Sequence, residues 1–444
     1  MDFMDEYRKK LVSPEAAVNA VKSGDSVNYG QFNCAPTFLD PYLAKRRDEL
    51  KAVTVTATCY PGVPQVGSCD PSREHFIYVN WHYSGGDRYL SDKGLCNYIP
   101  ALYWEIPKLL IDYYKPDFMF TKVAPMDKHG YFHFGATCGT MYTNSTQCKR
   151  IVVEVNDKEP ITYGGYDDSI HISEIDMIVE SDNKPMLQLP NPTPNEIDMA
   201  VAGHIMEMIE DRSVIQLGIG GMPGAVGDLI AKSDLKDLGC HTEMFCDSYV
   251  EMYEAGVMTN KYKEIDRGRM VYTFALGTDK SYNFIDNNRG CAAYPVNYTN
   301  SPFIASKLSK LISINNAMEV DLFGQVASES NGYRHVSGIG GQQDFHEAAY
   351  WSEGGKGIIC LSAMQGKGDK KKSRIVPTLS PGTIVSLPRH VTHFVVTEHG
   401  AVDLKGKNTW ERAELLISIA EPEQRDELIK EAQKMNIWCK TNKL

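Results

Sequence analysis

The sequence predicts an α/β protein with parallel sheets in two domains, and three observations carry that expectation. Short β-rich runs alternate with helical stretches, a cluster of prolines interrupts the rhythm near residue 190, and the rhythm restarts behind it. With 444 residues, 42% of them hydrophobic and 23% charged, the chain has ordinary globular composition and the length for two domains or more.

The first half supplies strands at Val53–Thr58, Phe118–Val123 and Ile151–Val155, interleaved with helical stretches such as Ala16–Ser23 and Tyr98–Tyr114. Between Met186 and Pro194 three prolines fall close together, and a helix is then expected from Asn195, with Glu196 and Asp198 in a first turn that favours acid. That break divides the chain into domains 1–190 and 191–444. Behind it come a strand at Val214–Leu217, a glycine turn, a helix at Ala225–Ser233, a strand at Thr242–Cys246 and a helix at Tyr249–Ala255 closed by Gly256. The second half thus opens like an independent doubly wound domain. Thr409–Met435 is amphipathic and broken at Pro422, which reads as a packing helix pair.

Charge and composition exclude several functions. Forty-six Lys and Arg against 57 Asp and Glu give a net charge of −11, which disfavours attraction to nucleic acid or anionic lipid. No apolar run approaches the roughly 18 to 20 residues of a membrane-spanning helix, and the charged start MDFMDEYRKK is unlike a signal peptide. Eleven scattered cysteines with no C-x-x-C pair fit a reducing compartment, so a cytoplasmic location is expected. None of the 12 histidines makes a metal-ligand spacing with cysteine or carboxylate, and no metal is expected.

Three features carry chemistry. The run Gly218-Ile219-Gly220-Gly221-Met222-Pro223-Gly224 follows an apolar strand and precedes a helix. Such a loop lets backbone N–H groups approach an anion, although the same spacing also serves a plain strand-to-helix turn. A second loop, Gly338-Ile339-Gly340-Gly341, echoes the first, and the two could face one extended ligand from different strands. Glu243, one helix beyond the first loop, is placed at a strand end, where a carboxylate can act as nucleophile, base or hydroxyl acceptor. The same residues imitate a dinucleotide fingerprint with Glu243 as ribose ligand, but Pro223 stands where its third glycine belongs. Glu329, beside Gly332, is a second candidate acid. P-loop, H-E-x-x-H and G-x-S-x-G patterns are missing.

Several motifs in one order resemble the acetyl-CoA hydrolase/transferase family of acyl-CoA:carboxylate CoA-transferases, near its butyryl-CoA:acetate and 4-hydroxybutyrate members. They include Ala124–Gly135 (APMDKHGYFHFG), GIGGMPGAV, His241–Phe245 (HTEMF), Asn315–Asp321 (NNAMEVD), SGIGGQQDF, Ser373–Pro377 (SRIVP) and Thr397–Leu404 (TEHGAVDL). The resemblance spans nearly the whole chain. It implies two CoA-transferase-like, doubly wound domains of similar topology with the active site in the cleft between them. It puts the catalytic glutamate at Glu243, contributed by the second domain, and leaves Glu329 as a decoy. CoA contacts are implied at Gly218, Ile219, Gly220, Gly221, Met222, Met318, Gly341 and Gly368. At the last site the family lysine is replaced by Gly368, leaving Lys367 or Lys370 to supply its charge.

The implied reaction moves CoA from a short-chain acyl-CoA of the butyryl type to a carboxylate such as acetate, by ping-pong through a glutamyl-CoA thioester. CoA is a substrate, and no tightly bound cofactor is expected. A 4-hydroxybutyrate or propionate transferase, a short-chain acyl-CoA hydrolase and a CoA-binding sensor are the alternatives. Gln31–Pro36, Tyr60–Gly62 and Trp81–Gly86 carry aromatic and small residues that suit an acyl pocket. A homodimer or homotetramer is expected from the resemblance.

Overall fold

The computed structural model describes residues 3–366, 368 and 371–438. Two sheets organise them. The first contains strands β1 (Ser26–Tyr29), β2 (Val53–Ala57), β3 (Phe76–Asn80), β4 (Cys96–Tyr98), β5 (Phe118–Val123), β6 (Arg150–Val155) and β7 (Met177–Glu180). Their order across the sheet is β4-β3-β2-β1-β5-β6-β7. Every pair in it is parallel. The second contains β8 (Val214–Leu217), β9 (Gly239–Phe245), β10 (Met270–Ala275), β11 (Cys291–Ala293), β12 (Leu311–Asn316), β13 (Lys356–Cys360), β14 (Phe394–Thr397) and β15 (Gly400–Asp403). Its order is β11-β10-β9-β8-β12-β13-β14-β15, closed by the antiparallel pair β14–β15. Both sheets place their first strand centrally, add three strands to one side, then cross back, so each is doubly wound with a reversal of strand order beside its first strand.

The chain forms two compact units, both discontinuous. One comprises 1–189, 243–246 and 271–299; the other comprises 190–242, 247–270 and 300–444. In the first unit, period-2 alternation buries both faces of the sheet. Phe118, Phe120 and Val152 point into one apolar cluster with Tyr29 and Val55, while Met119, Val123, Ile151 and Val153 point into another with Phe132 and Phe134. In the second unit, Val214 and Leu311 pack on Phe345, Ala348 and Ala349 of the helix Gln342–Trp351. The helices Thr409–Ser418 and Arg425–Lys434 bury Leu416, Ile417 and Leu428, with a turn at Pro422 between them, as the amphipathic pattern predicts.

Several elements follow their sequence signals closely. Phe118–Val123 and Val214–Leu217 are strands at the expected residues. Asn195 caps the helix Glu196–Met206 by accepting from Ile197 N and Asp198 N, while Asp198 accepts from Asn195 N in return. Other boundaries shift. The expected helix over Tyr98–Tyr114 becomes the end of β4, a 3₁₀ turn at Tyr103–Glu105 and a helix only at Ile106–Asp112. Pro100 removes a helical donor and restrains Ile99, whereas Pro107 fits the first turn where no donor is needed. The helix expected from Ala225 begins at Gly221, so the glycine turn is itself the first helical turn.

Among the described residues all cysteines are free thiols, and no helix is long and apolar enough to cross a membrane. In the second unit His346 is fully buried and its Nε2 accepts from His393 N at 2.9 Å. Burial pushes His346 down to about 3 and His393 to about 4. An unfolded histidine titrates at about 6.5 and takes up a proton that the native state refuses, so stability is complete above that value and falls with pH toward 4. Urea unfolding followed by circular dichroism should show a midpoint that declines across this window. His346→Gln, which keeps an acceptor without a titrating ring, should flatten the decline.

Candidate active site

Strand β9 is buried along its length except at one residue. Glu243 is half-buried, while Gly239, Cys240, His241, Thr242, Met244 and Phe245 are buried. Cys240 N donates to Asn260 Oδ1 at 2.8 Å and Lys263 Nζ donates to Cys240 O at 2.8 Å, which fixes the strand by groups from the following loop. Glu243 belongs to the first compact unit, and its charge is felt there by Cys59 and Tyr103. Burial chiefly raises both far above their ordinary values, with Asp87 and then Glu243 adding to it at the thiol and Glu243 at the phenol, so both stay protonated.

Around these groups the first unit builds an aromatic wall. Phe32 stacks on Phe274 with ring centres 3.8 Å apart, and Tyr103 meets both edge-on at 6.5 and 6.3 Å. Phe32 and Cys59 both adopt left-handed backbone conformations, φ 50° and 47°, just beyond β1 and β2. Such strain costs on the order of 1 to 3 kcal/mol per residue and persists only where the surroundings enforce it. Gln31 Oε1 accepts from Tyr103 OH at 3.0 Å and Thr140 N at 3.3 Å, and Gln31 Nε2 donates to Thr58 Oγ1 at 3.3 Å.

The segments Tyr60–Gly62 and Trp81–Gly86, expected at an acyl pocket, make packing contacts. Tyr60 is buried in the apolar cluster beneath the sheet, and Trp81 packs edge-on against Tyr114 at 5.0 Å. Ser84 caps the helix Gly85–Asp92. Gly86 lies so close to Gly62 that a Cβ there would meet Gly62 O at 1.7 Å, so these glycines allow two backbones to touch. A surface cavity of about 700 Å³ beside Trp104, Leu109, Ile111 and Tyr113 contains none of the sequence-derived site residues.

In the second unit the two glycine loops converge on the end of β12. Here the strand order reverses between β8 and β12, the place where open α/β sheets bind ligands. Gly218 N donates to Ile314 O at 2.8 Å, and a Cβ at Gly218 would lie 2.7 Å from Asn315 Oδ1. Gly220 caps the helix Gly221–Ala231 with φ 129° and ψ 178°, a conformation essentially confined to glycine. Asn316 Nδ2 donates to Ile219 O at 3.0 Å, while Asn316 O accepts from Gln342 Nε2 at 2.8 Å, at the helix start that Gly341 caps. Ile219 is half-exposed and Met222 is buried in the helix.

Behind this junction Arg374 holds the chain that leaves β12. Its Nε donates to Met318 O at 2.6 Å, one terminal nitrogen to Ser362 Oγ at 2.9 Å and the other to Ala317 O. Met318 stays half-buried. Gly368 is exposed at a left-handed turn with open space around it. Lys367 and Lys370 lie outside the described residues. Glu329 is buried, 6% exposed, and its backbone carbonyl accepts from Val336 N and Ser337 N. Among the described residues one close group of metal-ligating side chains occurs, Glu398, His399 and Glu421. Ala363 N donates to Glu398 Oε2 at 2.7 Å, and His399 Nε2 lies 3.2 Å from Glu421 Oε2.

Sequence reasoning singled out Glu243 and both glycine loops but passed over Cys59, Tyr103, Phe274 and Asn316. The last ends β12 and had a signal, the paired Asn315–Asn316 at a strand end. Chemically, the first unit offers a carboxylate on a rigid strand beside apolar walls, and the second offers a glycine-lined helix start suited to anionic or carbonyl oxygen.

The acetyl-CoA hydrolase/transferase N-terminal domain matches residues 1–190 and the C-terminal domain of the same family matches residues 277–432. The chain is 46% identical to the "Probable butyrate:acetyl-CoA coenzyme A-transferase" of Syntrophomonas wolfei subsp. wolfei over 99% of both proteins. It is 43% identical to the butyryl-CoA:acetate CoA-transferase of Anaerostipes caccae over the full length of both. Among solved structures, RipA from Yersinia pestis superposes with a TM-score of 0.90 at 32% identity, covering 99% of this chain and 100% of that one.

Gly220→Ala tests the loop geometry. It adds a Cβ 2.3 Å from Asn316 Nδ2 at a φ that only glycine tolerates, and equilibrium unfolding should show a loss of about 1 to 3 kcal/mol. Gly203→Ala, inside the helix Glu196–Met206 with open space around it, should instead gain about 0.5 to 1 kcal/mol.

Proposed function

Because the chain belongs to the acetyl-CoA hydrolase/transferase family, we propose that it is an acyl-CoA:carboxylate CoA-transferase with Glu243 as its nucleophile. The observation that carries the assignment of Glu243 is its exposure. It is the one residue of β9 whose side chain is open to a ligand, whereas the rival Glu329 is buried.

The reaction follows from the limits of a carboxylate nucleophile. A Glu243 oxygen attacks the thioester carbonyl, the C–S bond breaks, and a mixed anhydride and CoA thiolate result. The thiolate then attacks the glutamyl carbonyl, releasing the first carboxylate and leaving a glutamyl-CoA thioester. An incoming acid retraces these steps. One thioester is exchanged for another throughout, so the exchange is close to balanced in energy and ping-pong in kinetics. Each acyl step gathers charge on a carbonyl oxygen, and a preorganised N–H donor aimed at such an oxygen is worth roughly 3 to 4 kcal/mol.

We assign CoA contacts to Gly218, Ile219, Gly220, Gly221, Met222, Met318, Gly341 and Gly368. The convergence of both glycine loops on β12 supports the first seven, and the exposed turn at Gly368 leaves room for a ligand. We assign the acyl side to Phe32, Cys59, Tyr103 and Phe274, whose apolar surfaces lie near the Glu243 charge and suit a short chain such as butyryl. Acetate, named as co-substrate of butyryl-CoA for the relative from Anaerostipes caccae, is the acceptor we assign. We further propose a cytoplasmic homodimer or homotetramer that needs no tightly bound cofactor.

Intact and peptide mass spectrometry after incubation with butyryl-CoA and no acceptor tests the intermediate. A CoA-sized adduct on the Glu243 peptide is expected, and an adduct on the Glu329 peptide would overturn the assignment. Glu243→Gln should abolish transfer with the fold retained. Glu243→Asp should lower kcat by about a hundredfold, since attack geometry tolerates little displacement.

A further inference from the structure

Strand alternation in the first sheet creates a buried charge cluster that the proposed reaction does not use. Lys122 follows Phe118 and Phe120 on one face of β5, Glu154 follows Val152 on the same face of β6, and the two are paired directly in register. Glu159, on the loop after β6, joins them. Lys122 is 5% exposed, Glu154 0% and Glu159 4%. Burying three ionisable groups where apolar side chains would pack is costly unless they are paired and hydrogen-bonded.

Each member grips backbone or side chain of a segment leading to the aromatic wall. Glu154 Oε2 accepts from Phe38 N at 3.1 Å and Leu39 N at 3.0 Å, and Lys122 Nζ donates to Thr37 Oγ1 at 3.1 Å. The segment 30–39 is thereby fastened just after Gln31 and the strained Phe32. Glu159 Oε2 accepts from Ala136 N at 3.2 Å. Ala136 O in turn accepts from Ala275 N at 2.7 Å, and Cys138 N donates to Thr273 O at 2.9 Å, so the segment 135–140 runs along β10 beside Phe274. The two segments meet where Thr140 N donates to Gln31 Oε1, the same atom that receives Tyr103 OH.

We propose that Lys122, Glu154 and Glu159 are positioning residues, which together fix the two segments that hold Gln31, Phe32 and Phe274 around the Glu243 carboxylate. The inference rests on the transferase reading for its kinetic consequence. The second oxygens of Glu154 and Glu159 are buried without a hydrogen-bond partner, and one lysine faces two acids. Burial pushes both glutamates up to about 7, against the pull of Lys122. The other ionisable groups facing the cluster are Cys34 beside Glu159, Asp182 and Lys184 beside Glu154, and Tyr29, Tyr60 and Asp40 on the sheet side. A carboxylate holds an N–H more strongly than its acid does, so the doubly ionised cluster is the well-positioned state. Stability runs the other way. An acid whose native value is raised favours folding at low pH, and that contribution is lost as pH rises through about 7.

The test compares wild type with Glu159→Gln, whose amide oxygen still accepts from Ala136 N but cannot titrate. With butyryl-CoA and acetate, wild-type kcat should rise about tenfold through an inflexion near pH 7 with KM almost unchanged. The variant should show a flat profile at the lower rate and a higher urea midpoint in alkali. After correction for the intrinsic rate, amide protection of segment 135–140, read by mass spectrometry, should fall on acidification in wild type and not in the variant. A variant whose kcat profile and exchange both superpose on wild type would overturn the proposal. Should Glu159→Gln not fold, Glu154→Gln carries the same test. If wild type shows no transfer, the transferase reading fails, while the exchange data still decide the cluster.

Discussion

Burial of parallel strands on both faces is the constraint from which the rest follows. A strand such as β9 that is covered above and below can expose a side chain only where the packing opens, and Glu243 occupies that position. The carboxylate is therefore held by a backbone ladder and not by a flexible loop, which suits the proposed attack on a thioester carbon at close range. Elsewhere, polar side chains on or beside covered strands are given partners of their own. Asn315 Nδ2 bonds both Gln216 Oε1 and Ser313 Oγ, and Lys263 Nζ bonds two carbonyls.

The same constraint bears on three backbone specials that sit where strands end. Phe32, Cys59 and Gly220 all leave the ordinary backbone regions within a few residues of a strand's carboxyl end. There the chain must turn away from a covered sheet while presenting N–H groups or side chains outward. Polar anchors behind these turns hold them in place: Thr121 Oγ1 donates to Cys34 O under the first, and Asn316 clasps Ile219 O beside the last. The two units thus place ordered turns at matching points of two similarly wound sheets.

Much of the fold was legible because local signals and tertiary burial agree. Apolar runs such as Phe118–Val123 and the Asn195 capping box need no long-range information, and the structure places both where the pattern does. Proline misled where it has two roles: Pro100 follows a strand and bars a helix there, whereas Pro107 sits in the first turn of one. The glycine turn before Ala225 concealed a helical turn, because Gly221, Met222 and Pro223 make no demand on helical donors. Glu243 was legible by resemblance and by its place after the first glycine loop. Cys59, Tyr103 and Phe274 were not, since they come from three elements far apart in sequence and nothing local marks their meeting.

The first unit is assembled from three separate stretches of chain, 1–189, 243–246 and 271–299. During synthesis its leading portion emerges without the strands β10 and β11 that complete it, so its aromatic wall lacks Phe274 until much of the second half has been made. Contacts of such long sequence separation are slow to form and leave apolar surface waiting. The nascent first half holds all seven strands of its own sheet, but the wall around Phe32 and Tyr103 closes only when a later stretch of chain delivers Phe274.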